Sequence, residues 1–439
     1  MAFYVRQGRM PESRHTYDDR SNILREELFG EESFDGPYSL LYHLGEPTRV
    51  KSVKKIPRDP VDKSSADVMI HRHFQTGKLG RGGDFVTGRR YLMFNSTVRL
   101  SVAQTSENTG TLYRNALSDE VYFIQSGNAT MKSMLGNLDV SAGDYLYVPK
   151  GTTYTIDTPS GLDFFLVESR ERASIPQRYL NTYGQIKEGS PYYTRDIRVP
   201  RLQDPSTDGG SFNVLVDFGD YFLREERDMN PFDVAGWDGY LYPFAISTRS
   251  MAPIVGKLHQ PPPVHETFSG KSFMIGTFLP RKFDFHPRSI PISYYHSNID
   301  TDEVLFYSSG SFMSRKGISA GSVTLHVRGL IHGPQPGALE SAIGKEETDE
   351  VAVMVEAYEP LKVTRDALEM VVFHGSIASV EPRFHIHCSG AGPDHIMVGG
   401  HFFSGTAEPL MEISITKFDQ INIVREKSQK SGLMEATLL

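Results

Sequence analysis

Cysteine is nearly absent. The 439-residue chain holds one, Cys388, so no internal disulfide can brace it, and a reducing cytosolic setting is expected. Positive charge is not in excess: 46 Lys and Arg face 54 Asp and Glu, a formal charge of −8 with no long basic run. That argues against a nucleic-acid partner. No apolar run approaches the roughly 20 residues that span a bilayer, so no membrane partner is expected. The opening MAFYVRQGRMPESRH is polar where a signal peptide would be apolar. The last scarcity is local. Between His73 and His259 the chain has no histidine, so a histidine-based metal site cannot form there.

What the chain does hold is turn chemistry. Thirty-nine glycines and 26 prolines separate short aromatic and β-branched runs, which predicts a mostly β architecture. The length favours two domains or one duplicated domain. Residues 1–75 read as an irregular N-terminal arm, with a short helix expected in DRSNILREELFGEE (19–32) and a strand in SLLYHL (39–44). His71 and His73 have no acidic neighbour and are expected to pack.

Residues 76–185 give strand candidates RRYLMFNSTVRLSVAQT, DEVYFIQSGNATMKS, GDYLYVPKGTTYTI and LDFFLVESR. The pair EVYFIQSG and GDYLYVPKGTTY resembles the two signature strands of the cupin jelly roll. In that family the second strand ends on a metal-ligand histidine, and here the position carries Tyr154. This module is expected to be a cupin without a metal site. From about 171 through the 186–245 segment runs a Pro-, Asp- and Tyr-rich connection, expected to pack between the halves.

Residues 246–365 return to strands: APIVGKLHQ, KSFMIGTFLPR, DEVLFYSSG, GSVTLHVRGLIHG and EVAVMVEAYEPLKVT. DEVLFYSSG echoes SDEVYFIQSG, so the chain reads as a duplicated jelly roll, a bicupin. A β extension follows at 366–439. Its histidines 374, 385, 387, 395 and 401 have no carboxylate at matching spacing, although His385 and His387 would share a strand face.

The chemistry concentrates between Tyr294 and Gly337. His296, Glu303, His326 and His332 offer imidazoles and a carboxylate, and Glu303 opens an apolar run where an unpaired charge would be costly. His326 and His332, six apart, would face one way on a single strand. Two imidazoles and one carboxylate suit a non-haem Fe(II) oxygenase, with Mn(II) next. In LHQPPPVHETF, His259 and His265 flank a stiff triple proline, and either can serve as general base.

Across residues 1–365 these motifs resemble the homogentisate 1,2-dioxygenase family. The likeness is carried by LLYH (40–43), EVYFIQSG, GDYLYVPKG, FDVAGWDG, YYHSN, DEVLFYSSG, SVTLH and HGPQPG. It implies His296, Glu303 and His332 as ligands of Fe(II), with Asp302 the competing acid by spacing from His296. It implies His326 as a further active-site histidine and His259, or in another register His265, as the base. His326, Tyr295 and Phe312 are the candidate substrate contacts; family members place a substrate-contacting tyrosine where Phe312 stands. The implied reaction opens homogentisate with O2 to maleylacetoacetate, a step of tyrosine and phenylalanine catabolism, or opens gentisate or a related hydroquinone. A binding or storage bicupin is the non-enzymatic alternative. The resemblance also implies a cytoplasmic homo-oligomer, trimer or hexamer.

Overall fold

The computed structural model describes residues 3–370 apart from 19, 20, 22, 59–68, 313–316 and 369, and beyond 370 only the backbone of five short strands. The arm carries β1 (Arg25–Gly30), β2 (Tyr38–His43) and β3 (Arg72–Gln75). The first module holds β4 (Arg90–Phe94), β5 (Val98–Gln104), β6 (Leu112–Asn115), β7 (Asp119–Ser126), β8 (Asp144–Val148), β9 (Tyr154–Asp157) and β10 (Asp163–Ser169). The connection adds β11 (Val234–Gly239) and β12 (Phe244–Ser247). The second module holds β13 (Glu266–Ser269), β14 (Phe273–Phe278), β15 (Asp302–Ser309), β16 (Ser322–His326) and β17 (Val351–Ala357).

The duplication is explicit in strand order. One sheet contains the run β12-β8-β7-β10-β5-β4, and another runs β3-β16-β15-β17-β14-β13. Position by position these are the same sheet, down to a register shift at β4 and at β13. The fold is mostly β and a bicupin. Each sheet takes its β12 or β3 strand from outside its module, so the arm completes the second sheet and the connection the first.

Period-two alternation gives the β7 and β8 strands two buried faces. Tyr122, Ile124, Leu146 and Val148 point into the first jelly roll with Tyr154 and Phe164. Val121, Phe123, Tyr145 and Tyr147 point the other way, into a core shared with Phe268, Val304, Phe306 and Leu325 of the second module. Phe165 stacks on Phe306 at 5.0 Å between centroids. In the second module the same alternation sends Val304 and Phe306 to the shared core and Glu303 into its own barrel.

Three sequence expectations need correction. The 19–32 segment contains no helix among its described residues; Arg25–Gly30 is β1, paired antiparallel to β2. Pairing brings Glu27 to His43 at 2.8 Å, a contact a helix would forgo. APIVGKLHQ forms no strand; it is irregular and leads into a 3-10 turn at Pro262–His265, since prolines supply no ladder N–H. The connection builds the first module rather than lying only between the halves. Its strands Gly209–Asp217 and Tyr221–Met229 extend the facing sheet from β6, and β11 pairs β2. Residues 174–192 do reach the second module: Ser174 bridges Ser269, and the Tyr192 hydroxyl donates to the Thr267 carbonyl at 2.8 Å.

In the tail, Phe384–Ala391 is a strand, as the alternation of His385 and His387 requires, and its register sets His387 opposite His401. His374 and His395 lie outside the described residues. Among the described residues no helix is long and apolar enough to cross a membrane.

Candidate metal centre

Glu303 stands at the start of β15, directly opposite His326 on β16. The chain leaves β16 at His326, turns through Val327–Ile331, and returns at His332, which pairs backbone to backbone with His296. His326 and His332 therefore do not share a strand; a turn brings them face to face, with rings stacked 4.7 Å apart. Gly333 follows at φ +144°, where an added Cβ would come within 3.0 Å of the Tyr295 Cα. That close approach accounts for glycine after the histidine.

His296, Glu303 and His332 each offer a donor atom, and these atoms all lie within 4.8 Å of one another. The Nε2 atoms of His296 and His332 sit 3.6 and 3.7 Å from the two Glu303 oxygens. Their Nδ1 atoms face the carbonyls of Tyr294 and Leu330, at 3.3 and 3.1 Å. A proton on Nδ1 makes that bond and leaves the Nε2 lone pair for a metal, which is how backbone carbonyls set the tautomer of ligand histidines. The buried His332 Nε2 has no hydrogen-bond partner among the described residues. The donor set thus fits a divalent metal.

Burial alone would raise Glu303, but the imidazoles of His296, His326 and His332 gathered around it outweigh that and hold the carboxyl well below its usual range. The neighbouring Glu303 carboxylate raises His296 in turn. His326 donates from Nδ1 to Glu303, fixing the carboxylate's second oxygen.

Asp302, on the opposite strand face, is turned away. It is 1% exposed and accepts from the Arg328 N–H at 2.9 Å, from Arg328 Nε and from the Leu361 N–H at 2.8 Å.

His259 reaches the mouth of the site, its ring 5.2 Å from that of Tyr294, which contacts His296 at 6.0 Å. Partial burial lowers its pKa. His265 is buried at the head of β13, lowered to about 4 by burial, Arg281 and His259. Tyr295 is half exposed at the rim. Phe312 is not brought to the triad. It packs edge-on against Tyr307 beyond the far end of β15, and the strand from Glu303 to Ser309 alone spans about 20 Å.

Two neighbours escaped the sequence reading. Glu356 on β17 stands directly opposite Glu303 and receives the Asn298 amide on both oxygens, at 3.1 and 3.2 Å. Burial and then Glu303 push it up to about 7. The signal existed: an acid inside the apolar run VAVMVEA. His71, from the arm, places its ring 5.8 Å from His326 and 5.7 Å from His332. Its pairing partners lie some 256 residues away, so no local pattern announced it.

The first module shows the same layout emptied of histidine. Tyr113 pairs with Tyr154 as His296 pairs with His332, and Glu120 lies opposite Val148 and Glu168 as Glu303 lies opposite His326 and Glu356. In the middle sits Arg89, 2.9 Å from Glu120 and 3.3 Å from Glu168. The Tyr154 hydroxyl donates to Glu120 at 2.6 Å. One guanidinium balances one charge of this carboxylate pair, and burial pushes Glu120 up to about 7.

Residues 94–247 match the family model described as homogentisate 1,2-dioxygenase N-terminal, and residues 331–419 match the Plants and Prokaryotes Conserved (PCC) domain. A Saccharolobus solfataricus protein named "Putative dioxygenase SSO1533" is 44% identical over 374 residues, 84% of this chain and 97% of that one. The chain belongs to the homogentisate 1,2-dioxygenase family. Homogentisate 1,2-dioxygenases of Bradyrhizobium diazoefficiens and Arabidopsis thaliana are 25% and 23% identical, over 58% and 59% of this chain. The chain spans about three-fifths of their length, 59% and 57%. Among solved structures, Ylba from E. coli matches at 9% identity, with a TM-score of 0.34 over 67% of this chain and 94% of that one. The fold assignment accordingly rests on the strand order above. The family sets the broad class, a dioxygenase.

Proposed function

We propose that this chain is an Fe(II)-dependent dioxygenase that opens the ring of a hydroquinone-type acid, homogentisate before gentisate, giving maleylacetoacetate from the former. The observation that carries the reading is the pair of Nε2 atoms, on His296 and His332, turned upon one buried carboxylate while both Nδ1 atoms are engaged by backbone carbonyls. A 2-His-1-carboxylate set leaves coordination positions open, and its N and O donors suit Fe(II) ahead of Mn(II). Bound iron would supply a Lewis-acid hold on a phenolate oxygen and an electron path to O2.

The chain's own residues do the rest. His259, whose partial burial favours the neutral imidazole, takes the proton of the substrate hydroxyl at the mouth of the site. His326 keeps the Glu303 carboxylate aimed. Tyr294, Tyr295, Leu258 and Ile331, all large and exposed at the rim, offer apolar surface to an aromatic ring and shed water as it enters. Both oxygen atoms of O2 end in the product, so no external reductant is required. A cytosolic homo-oligomer, trimeric or hexameric, belongs to the same proposal and rests on the family resemblance alone.

Oxygen uptake by the Fe(II)-loaded protein, given homogentisate and then gentisate, tests the reading. Uptake with homogentisate is expected. Uptake with gentisate alone moves the substrate to that acid, and none with either, from protein that retains iron, turns the reading to a non-catalytic bicupin.

A further inference from the structure

We propose that His71, on the N-terminal arm, is a positioning residue of the metal centre that staples the turn carrying His332. This rests on the reading of His296, Glu303 and His332 as metal ligands. The Val327 N–H donates to His71 Nδ1 at 3.0 Å, which leaves the ring proton on Nε2, 3.4 Å from the Ile331 carbonyl. These two backbone groups open and close the turn between His326 and His332. The turn's own closure, from Leu330 N–H to the Val327 carbonyl, is 3.3 Å long. The His71 ring also stands edge-on to both histidines, at interplanar angles of 82° and 74°. It thereby limits where the His332 ring can swing.

The duplicated module supplies an independent observation. Register sets Leu325 opposite Arg72, and so His326 opposite His71. In the first module Tyr147 lies opposite Phe244, and so Val148 opposite Pro243. Proline offers no side-chain acceptor. The carboxylate pair survives in both modules, whereas His296, His332, His326 and His71 give way to Tyr113, Tyr154, Val148 and Pro243. His71 therefore goes with the residues that differ between a centre fit for metal and one filled by Arg89. A ligand-bearing turn held from the arm also means that the centre is assembled from segments some 256 residues apart.

Groups that fix metal-ligating histidines typically matter by 10- to 100-fold in metal affinity. Titration of the apo-protein with Co(II), followed by visible absorption against a competing chelator, should show His71→Ala binding about 10- to 100-fold more weakly with an altered Co(II) spectrum. The apo melting temperature should stay close to wild type. His71→Asn, whose Oδ1 can still accept from Val327, should recover most of the affinity. Wild-type affinity in a folded His71→Ala overturns the staple while leaving the ligand set standing, provided His332→Ala abolishes binding. Wild-type protein that takes up no Co(II) overturns the ligand reading, and the staple with it. Should His71→Ala fail to fold, His71→Asn is compared with His71→Leu: tighter binding by Asn supports the staple, and equal affinities overturn it.

Discussion

Two adjacent acids open one strand and do opposite work. Glu303 faces the imidazoles, while Asp302 faces backbone N–H groups that a loop end would otherwise leave unpaired. The first module repeats the division: Asp119 accepts from the Lys150 and Ala173 N–H groups at 3.1 and 3.0 Å, and Glu120 points inward. Glu303→Gln should therefore lose its iron and its oxygen uptake. Asp302→Asn should keep its iron and lose about 1–3 kcal/mol of stability, the cost of weakening charge-assisted bonds to a buried acceptor. Iron content and urea midpoints measured side by side decide this; an iron-poor Asp302→Asn beside an iron-replete Glu303→Gln reverses the assignment. His259→Ala should retain iron but take up O2 about 10²- to 10⁴-fold more slowly as a missing base; if His265→Ala behaves that way instead, the two exchange roles. Alternation along a strand made it legible that only one of the two acids could reach the site. The spacing from His296 favoured Asp302, which the strand turns away from the imidazoles, and the repeat supports Glu303: Tyr113 precedes Glu120 by the same interval that separates His296 from Glu303.

Among elements, the β1–β2 hairpin shows how tertiary pairing overrides a local pattern. A short helix is expected in 19–32, yet Arg25–Gly30 pairs as a strand because β2, itself paired to β11, offers it a sheet and His43 a partner. His43 lies between Asp233 and Glu27, 2.8 Å from each. Burial opposes its charge, but the two bonds prevail and push it up to about 9, while Glu27 and Asp233 are lowered. A group raised in the folded state stabilises fully below its unfolded value, about 6.5, and loses that contribution as pH climbs through the folded one. The window is thus pH 6.5 to 9, and the loss is on the order of 3 kcal/mol. Urea midpoints of wild type should fall across that window more steeply than those of His43→Gln. Parallel slopes would remove His43 from the account. Such a triad was beyond the sequence, since Asp233 joins from 190 residues away.

At the scale of the whole molecule, one duplicated sheet has met the same electrostatic demand twice. Two buried carboxylates stand opposite each other on neighbouring strands of each module, and a nearby cation or a proton on one of the acids relieves their repulsion. Arg89→Met strips that cation from Glu120 and Glu168 and should cost about 3–5 kcal/mol, with part recovered in Arg89→Met/Glu120→Gln. Full stability of the single variant, read by urea unfolding, would show that the pair is neutralised otherwise. Fold class and duplication were legible because strand alternation and the DEV repeat are local. The exchange by which the arm lends β3 to the second sheet and the connection lends β12 to the first was not, since edge pairing is decided by register over long separations. That exchange, with the shared aromatic core, predicts a single cooperative unit. The sole tryptophan, Trp237, reports on it from the far side. It is fully buried, donates to the Leu135 carbonyl at 2.9 Å, and lies in the same continuous core as Phe306 and Leu325 on the strands of the candidate centre. A metal bound only by the native second module stabilises whatever unfolds with it, by about 2.7 kcal/mol at a free concentration 100 times Kd. If the modules unfold together, anaerobic Fe(II) should move the tryptophan fluorescence transition in urea by that amount. A fluorescence transition that stays put, while circular dichroism gains a later metal-dependent step, would show two modules folding on their own.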